Sequence, residues 1–149
     1  KQMGWDNIFV TPEGASVPFG SPGLETIVSL TYSEGVVKRG LPIWWLARVM
    51  SENPARIFGL YPKKGVIQVG SDADFLIIDP QTDRIITAKD HQSNAGYTLF
   101  EGWQVSGTPW MTLLRGQVLL NQGNLEQRPG YGQFLACEGP RSPIGGPVR

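Results

Sequence analysis

Few residues in this chain could do acid–base or metal chemistry. There is one histidine, His91, in Lys89-Asp90-His91-Gln92, and one cysteine, Cys137. A zinc site takes about four His, Cys or carboxylate ligands, so no histidine-rich or thiolate centre can be built from these residues. His91 reads as an ordinary loop residue. Asp72, Asp74 and Asp79 are grouped as a hard cation would require. They flank the short apolar run Phe75–Ile78, where Asp is a turn former, and that is the role expected of them. Lys63-Lys64 is a charge pair on a turn, and Lys38 ends a helix where a cation complements the dipole. Trp44-Trp45, Trp103 and Trp110 invite a reading as a stacking platform, but no basic groove accompanies them. They are expected to be buried aromatics.

The stretch best suited to meet a ligand is irregular. Pro12, Gly14, Pro18, Gly20, Pro22 and Gly23 preclude a long helix or a central strand over residues 1–23. The same stretch carries Trp5, Ile8, Phe9, Val10, Val17 and Phe19. A loop this long and this apolar usually covers a site. Gly20 lets backbone approach a ligand closely, and Phe19 is a pocket wall or a hydrophobic plug. Glu13 and Ser16 share the loop.

Composition narrows the classes of function. Hydrophobic residues make up 40% and charged residues 17% of 149 residues, a soluble globular balance with one modest core. Thirteen Lys and Arg balance 13 Asp and Glu, so no net field points to nucleic acid or to an anionic membrane. A lone cysteine precludes an intrachain disulfide and fits a reducing compartment, here the cytoplasm. No apolar run approaches the roughly 20 residues of a membrane helix. The opening Lys-Gln-Met-Gly-Trp-Asp resembles neither a signal peptide nor a natural start, so the chain is expected to be a piece of a longer one.

The elements that would position these residues follow from periodicity. Residues 24–39 are predicted to be helical, with Leu24, Ile27, Val28 and Thr31 at helical spacing and Gly40 as the stop. A second helix is predicted over 42–50 with Pro42 at its first position. A short third runs 54–58, with Asn53 as N-cap, Pro54 at the first position and Gly59 closing it. Beyond Lys63-Lys64-Gly65 the pattern alternates. Strands are expected within 66–79, ended by Asp79-Pro80, then at 84–88, 104–106, 110–115 and 117–121, with a hairpin at Arg115-Gly116. The tail from Arg128 is too poor in apolar residues to order itself and is read as an arm or a flexible end. The helices have no obvious sheet to pack on, and the strands are too few for a sandwich, so both halves are expected to complete structures begun elsewhere.

Several motifs, in this order, resemble the cyclic amidohydrolases. Pro18-Phe19-Gly20-Ser21-Pro22-Gly23-Leu24-Glu25-Thr26 is similar to the loop and helix start after the last barrel strand of dihydroorotases, allantoinases and dihydropyrimidinases. Asn53-Pro54-Ala55-Arg56-Ile57-Phe58-Gly59-Leu60 resembles their short Pro-Ala-Arg helix. Lys63–Ile67, Gly70–Asp74 and Ile77–Pro80 resemble the strands leaving the barrel, and Phe100-Glu101-Gly102, Gly107-Thr108-Pro109 and Leu114-Arg115-Gly116 continue the match. Pro129-Gly130-Tyr131-Gly132-Gln133-Phe134 resembles the hydantoinase and dihydropyrimidinase end.

The resemblance implies an α/β fold: the C-terminal portion of a (β/α)8 TIM barrel plus strands of an accessory β-sandwich. A complete barrel needs about 250 residues. Residues 1–62 would be the last active-site loop and closing helices, 63–127 the sandwich strands and 128–149 an arm. It implies a hydrolase opening a dihydropyrimidine or hydantoin ring with two zinc ions. Their ligands would be an early His-x-His pair, a carboxylated Lys, two further His and an Asp, all outside this segment. No catalytic or metal-binding residue is expected here. The backbone of Pro18, Phe19 and Gly20 would meet the ring amide of the substrate. The implied partners are a small cyclic amide, the upstream part of the same polypeptide and further copies in a homo-oligomer, with no nucleic acid and no membrane. The alternatives are a non-catalytic relative used in assembly, an allantoinase or dihydroorotase, and a free-standing β-rich domain.

Overall fold

The computed structural model describes residues 8–10, 16–18, 20–126 and 129–137. The apolar opening stretch is not wholly irregular. β1 (Ile8–Val10) pairs antiparallel with β2 (Ser16–Pro18), with Ile8 opposite Pro18. Pro18 stands at the strand end, where its missing N–H breaks no ladder.

Helix α1 (Ile27–Thr31) runs without interruption into a wider π turn over Tyr32–Val37. Gly40, at φ +67°, follows as the predicted stop. The widening coincides with a close packing contact. A Cβ on Gly35 would lie 2.6 Å from Cζ3 of Trp45, so a glycine here lets the next helix approach.

That next helix, α2 (Ile43–Ala47), is capped by Pro42, which is extended and so precedes the first helical position rather than occupying it. Nor does the chain restart at Asn53. α2 continues through a π turn, Arg48–Glu52, into α3 (Asn53–Ile57), and the Asn53 N–H donates to the Arg48 carbonyl five residues back. Pro54 would remove one α-type bond and press its ring on the turn before it. The wider turn just upstream relieves that conflict, as π-bulges in helices do. At the far end the Gly59 N–H reaches the Arg56 carbonyl at 3.2 Å and the Leu60 N–H reaches Ala55 at 2.7 Å. Gly59 has φ +66°. This is a Schellman stop, as the glycine suggested.

The sheet is antiparallel in the order β3 (Phe75–Ile85), β4 (Gln104–Leu114), β5 (Gln117–Asn121) and β6 (Asn124–Leu125). Several strand expectations need correction. Residues 66–74 are turns and bends, not strand. And β3 does not end at Asp79-Pro80 but continues to Ile85, taking in only the first two residues of the strand expected at 84–88, while Ala88 opens a 3-10 turn instead. The Asp79 carboxylate accepts the Gln81 N–H at 2.9 Å and the Thr82 hydroxyl, which closes a local loop within the strand. The register steps there from Asp79 opposite Thr108 to Asp83 opposite Ser106, so Pro80 sits in a bulge that needs no ladder donor. β4 likewise crosses Gly107-Thr108-Pro109 without a break, with Gly107 at φ +77°. The hairpin at Arg115-Gly116 forms with φ values of 47° and 78°, as a tight two-residue turn requires.

The helices do have a sheet to pack on, contrary to expectation. Tyr32 lies against Gly107 of β4, and the Ser106 N–H donates to Ser33 Oγ at 3.2 Å. Among the described residues the buried hydrophobics are Leu46, Ala55, Ile86 and Val105, and Thr26, Ser29, Ser33 and Thr98 are buried as well. None of the four tryptophans expected inside is buried: Trp44, Trp103 and Trp110 are exposed and Trp45 is half-buried. Trp44 is 61% exposed and Trp103 48%, although the Phe100 ring meets Trp103 edge-on at 5.3 Å.

Candidate functional site

The expected site loop ends β2 and starts α1. Pro18 closes β2, Phe19 and Glu13 lie outside the described residues, and Ser16 opens β2 opposite Val10. Gly20 is exposed, and an added Cβ would meet nothing within 4 Å. From there the path is shaped by Gly23, whose carbonyl accepts the N–H of Thr26 at 3.2 Å and of Ile27 at 2.9 Å, as well as the Thr26 hydroxyl at 3.2 Å. Three donors on one carbonyl pin the turn that launches α1.

A second loop, after the 3-10 turn Ala88–Asp90, is tied to the first. The Glu25 carboxylate accepts the backbone N–H of Gln92 at 2.7 Å and of Ser93 at 2.9 Å, one on each oxygen. The Tyr97 hydroxyl donates to the Gly20 carbonyl. Glu25 and Tyr97 were not singled out from the sequence. Glu25 stands inside the loop motif, but its partners are backbone groups 67 and 68 residues away, which no spacing announces.

The aspartates are structural, as read. Lys64 Nζ lies 2.8 Å from Asp72 and also contacts Asp74, whose other oxygen accepts the Arg115 N–H at 2.8 Å. Burial disfavours the Lys64 charge, yet the hydrogen bonds from its ammonium to Asp72 and Asp74 outweigh it and raise the pKa. The Lys64 ammonium holds Asp72 below its ordinary value against some desolvation. Thr82 and then the Gln81 N–H do the same for Asp79. The Ala88 N–H, at 2.8 Å, and Thr87 lower Glu101. Arg115 extends the cluster: its guanidinium stacks 4.4 Å from the Tyr131 ring and donates to the Tyr131 carbonyl at 2.7 Å. The Tyr131 hydroxyl returns to the Leu114 carbonyl at 3.2 Å. His91 caps the 3-10 turn beside this second loop.

Among the described residues no group of three or more His, Cys, Asp or Glu is placed to hold a metal. With Asp72 and Asp74 committed to Lys64, these side chains do not fit a metal centre.

The match to the amidohydrolase family model covers residues 20–119. The chain therefore belongs to the amidohydrolase family, and its fold is of that superfamily's TIM-barrel type. It is similar to L-hydantoinase of Paenarthrobacter aurescens, 39% identical over 91% of this chain and 28% of the relative. It is also similar to dihydropyrimidinase of Rattus norvegicus, 39% identical over 86% of this chain and 24% of the relative. A solved D-hydantoinase superposes with a TM-score of 0.76 at 34% identity, over 80% of this chain and 26% of the other. The L-hydantoinase of Arthrobacter aurescens superposes at 0.74 with 43% identity, over 77% and 26%. The chain thus spans about a quarter of the length of the proteins it matches.

Proposed function

We propose that the polypeptide carrying these residues hydrolyses a C–N bond in a cyclic amide, a dihydropyrimidine or a hydantoin. The observation that carries this reading is the superposition on hydantoinases across most of the chain, at an identity well above what fold alone requires. Water adds at the ring carbonyl, the C–N bond breaks, and the ring opens to a carboxylate and a free amide or urea nitrogen.

In this reading residues 1–62 are the last active-site loop and the closing helices of the barrel, 63–127 contribute strands to an accessory β-sandwich, and 128–149 are an arm. The backbone of Pro18, Phe19 and Gly20 pairs with the ring amide, which presents a donor and an acceptor on one edge. The Tyr97 hydroxyl takes one lone pair of the Gly20 carbonyl and leaves the other for a ligand donor. The metal is zinc, held by residues outside this segment. The enzyme works in the cytoplasm as a homo-oligomer.

The test is to assay the full-length protein for ring opening of a dihydropyrimidine and a hydantoin, with metal analysis of the same sample. Turnover of either ring, with about two zinc ions per chain, is the expected result. No turnover of any cyclic amide by metal-loaded protein would sink the reading.

A further inference from the structure

We propose that Glu25 and Tyr97 form a two-point latch by which the loop at residues 91–97 holds the substrate loop at 20–26 in its working path. Both are positioning residues, and the role in substrate binding rests on the functional reading above. At one end of the substrate loop the Tyr97 hydroxyl takes the Gly20 carbonyl. At the other, the Glu25 carboxylate receives two backbone N–H groups, Gln92 at 2.7 Å and Ser93 at 2.9 Å. The two anchors bracket Ser21, Pro22, Gly23 and Leu24, the stretch without helix or strand of its own.

The substrate loop needs such a hold. Leu24 is 92% exposed and an added Cβ on Gly20 would meet nothing within 4 Å, so packing holds the loop mainly at its helix end, where Thr26 is buried, and hydrogen bonds must hold the rest. A carboxylate bonded to two N–H groups is a directional, charge-assisted contact. Its donors are backbone, so the latch does not depend on which side chains occupy positions 92 and 93. The donor loop is itself anchored. Thr98, next to Tyr97, is buried, and the Trp103 carbonyl accepts the Ile86 N–H at 2.8 Å while the Gly102 N–H returns to Ile86 at 2.9 Å. The latch therefore transmits the rigidity of the β3–β4 sheet to a loop that has little of its own. A loop held in its bound shape before the substrate arrives binds without the cost of ordering. The latch thus acts on affinity, before any bond is broken.

The experiment uses Tyr97→Phe, Glu25→Gln and Glu25→Ala in the full-length protein. Hydrogen exchange of the peptide covering 20–26 is read beside steady-state kinetics on a dihydropyrimidine and a 5-substituted hydantoin. The latch predicts faster exchange confined to 20–26 and 91–97 and an unchanged Tm. It also predicts a KM raised about five- to tenfold with kcat within about twofold, the signature of lost uniform binding. Glu25→Gln, which keeps one acceptor oxygen, should fall between wild type and Glu25→Ala. Unchanged exchange in Tyr97→Phe and Glu25→Ala overturns the latch. Faster exchange with wild-type KM overturns its role in substrate binding, and so does a fall in Tm that accounts for the kinetic loss. If the wild-type protein opens neither ring, the functional reading fails, while the exchange data still decide whether the two loops are latched.

Discussion

The ring of Tyr32 occupies the space where any side chain at position 107 would begin. An added Cβ on Gly107 overlaps both Cδ1 and Cε1 of Tyr32. Gly107 stands at φ +77° in the middle of β4, opposite the bulge that Asp79 organises in β3. The fit seats the π turn after α1 on the sheet, beside the Ser33–Ser106 hydrogen bond.

Gly107→Ala should therefore destabilise the protein by about 2 kcal/mol or more, through positive-φ strain and overpacking together. Gly123→Ala is the comparison. Its φ is +83°, but nothing lies within 4 Å of an added Cβ, so only the strain of about 1 kcal/mol applies. Denaturant midpoints of the two variants should separate in that order, and equal shifts would mean that Tyr32 yields freely.

The Lys64 cluster makes stability depend on pH in a defined direction. Asp72 is held below its ordinary value, so its contribution is complete above the unfolded-state pKa and fades as pH falls through the lower folded value. Lys64 is raised, so its contribution is complete below its unfolded pKa and is lost only as pH rises through the folded one. The window of full strength lies between about pH 5 and pH 9, given ordinary Asp and Lys values. Lys64→Met should lower Tm at pH 7, and the gap from wild type should narrow toward pH 3. A gap that stays constant from pH 7 to pH 3 would show that the ion pairs contribute nothing that titrates.

Gly20→Val probes the loop itself. The position has open space around it and no positive φ, so the fold and metal content of the full-length protein should survive. If its backbone meets the substrate, the branched side chain displaces the ring, and kcat/KM should fall roughly tenfold, the effect of about 1.4 kcal/mol. Wild-type kcat/KM on every cyclic amide would remove this loop from the site.

The apolar surface predicts how residues 1–149 behave alone. Leu24, Ile43, Trp44, Phe58, Val69 and Ile85 are all exposed, while only four hydrophobic residues are buried among the described residues. Such a surface marks an interface that is missing its other side. The isolated polypeptide should bind a hydrophobic dye and melt over a broad range. A sharp cooperative melt without dye binding would favour a free-standing β-rich domain.

Much of this was legible in the sequence because its signals are local. Gly40, Gly59 and the Arg115-Gly116 turn act through their own φ angles, and the turn role of Asp79 needs only Gln81 and Thr82. The ordered run of motifs from Pro18 to Phe134 carried the family, because such motifs record turns and close approaches that the chain must repeat. Tertiary structure alone decided the rest. Pro80 looked like a strand end, yet β3 passes it, since a bulge depends on the register of a partner strand about 27 residues later. Pro54 looked like a restart, yet the π turn upstream carries the helix through it. That the helices find a sheet depends on Tyr32 meeting Gly107, and that Glu25 and Tyr97 bind the loops together depends on groups far apart in the chain. Contacts of that kind are set by how finished elements pack, and no periodicity within either element encodes them.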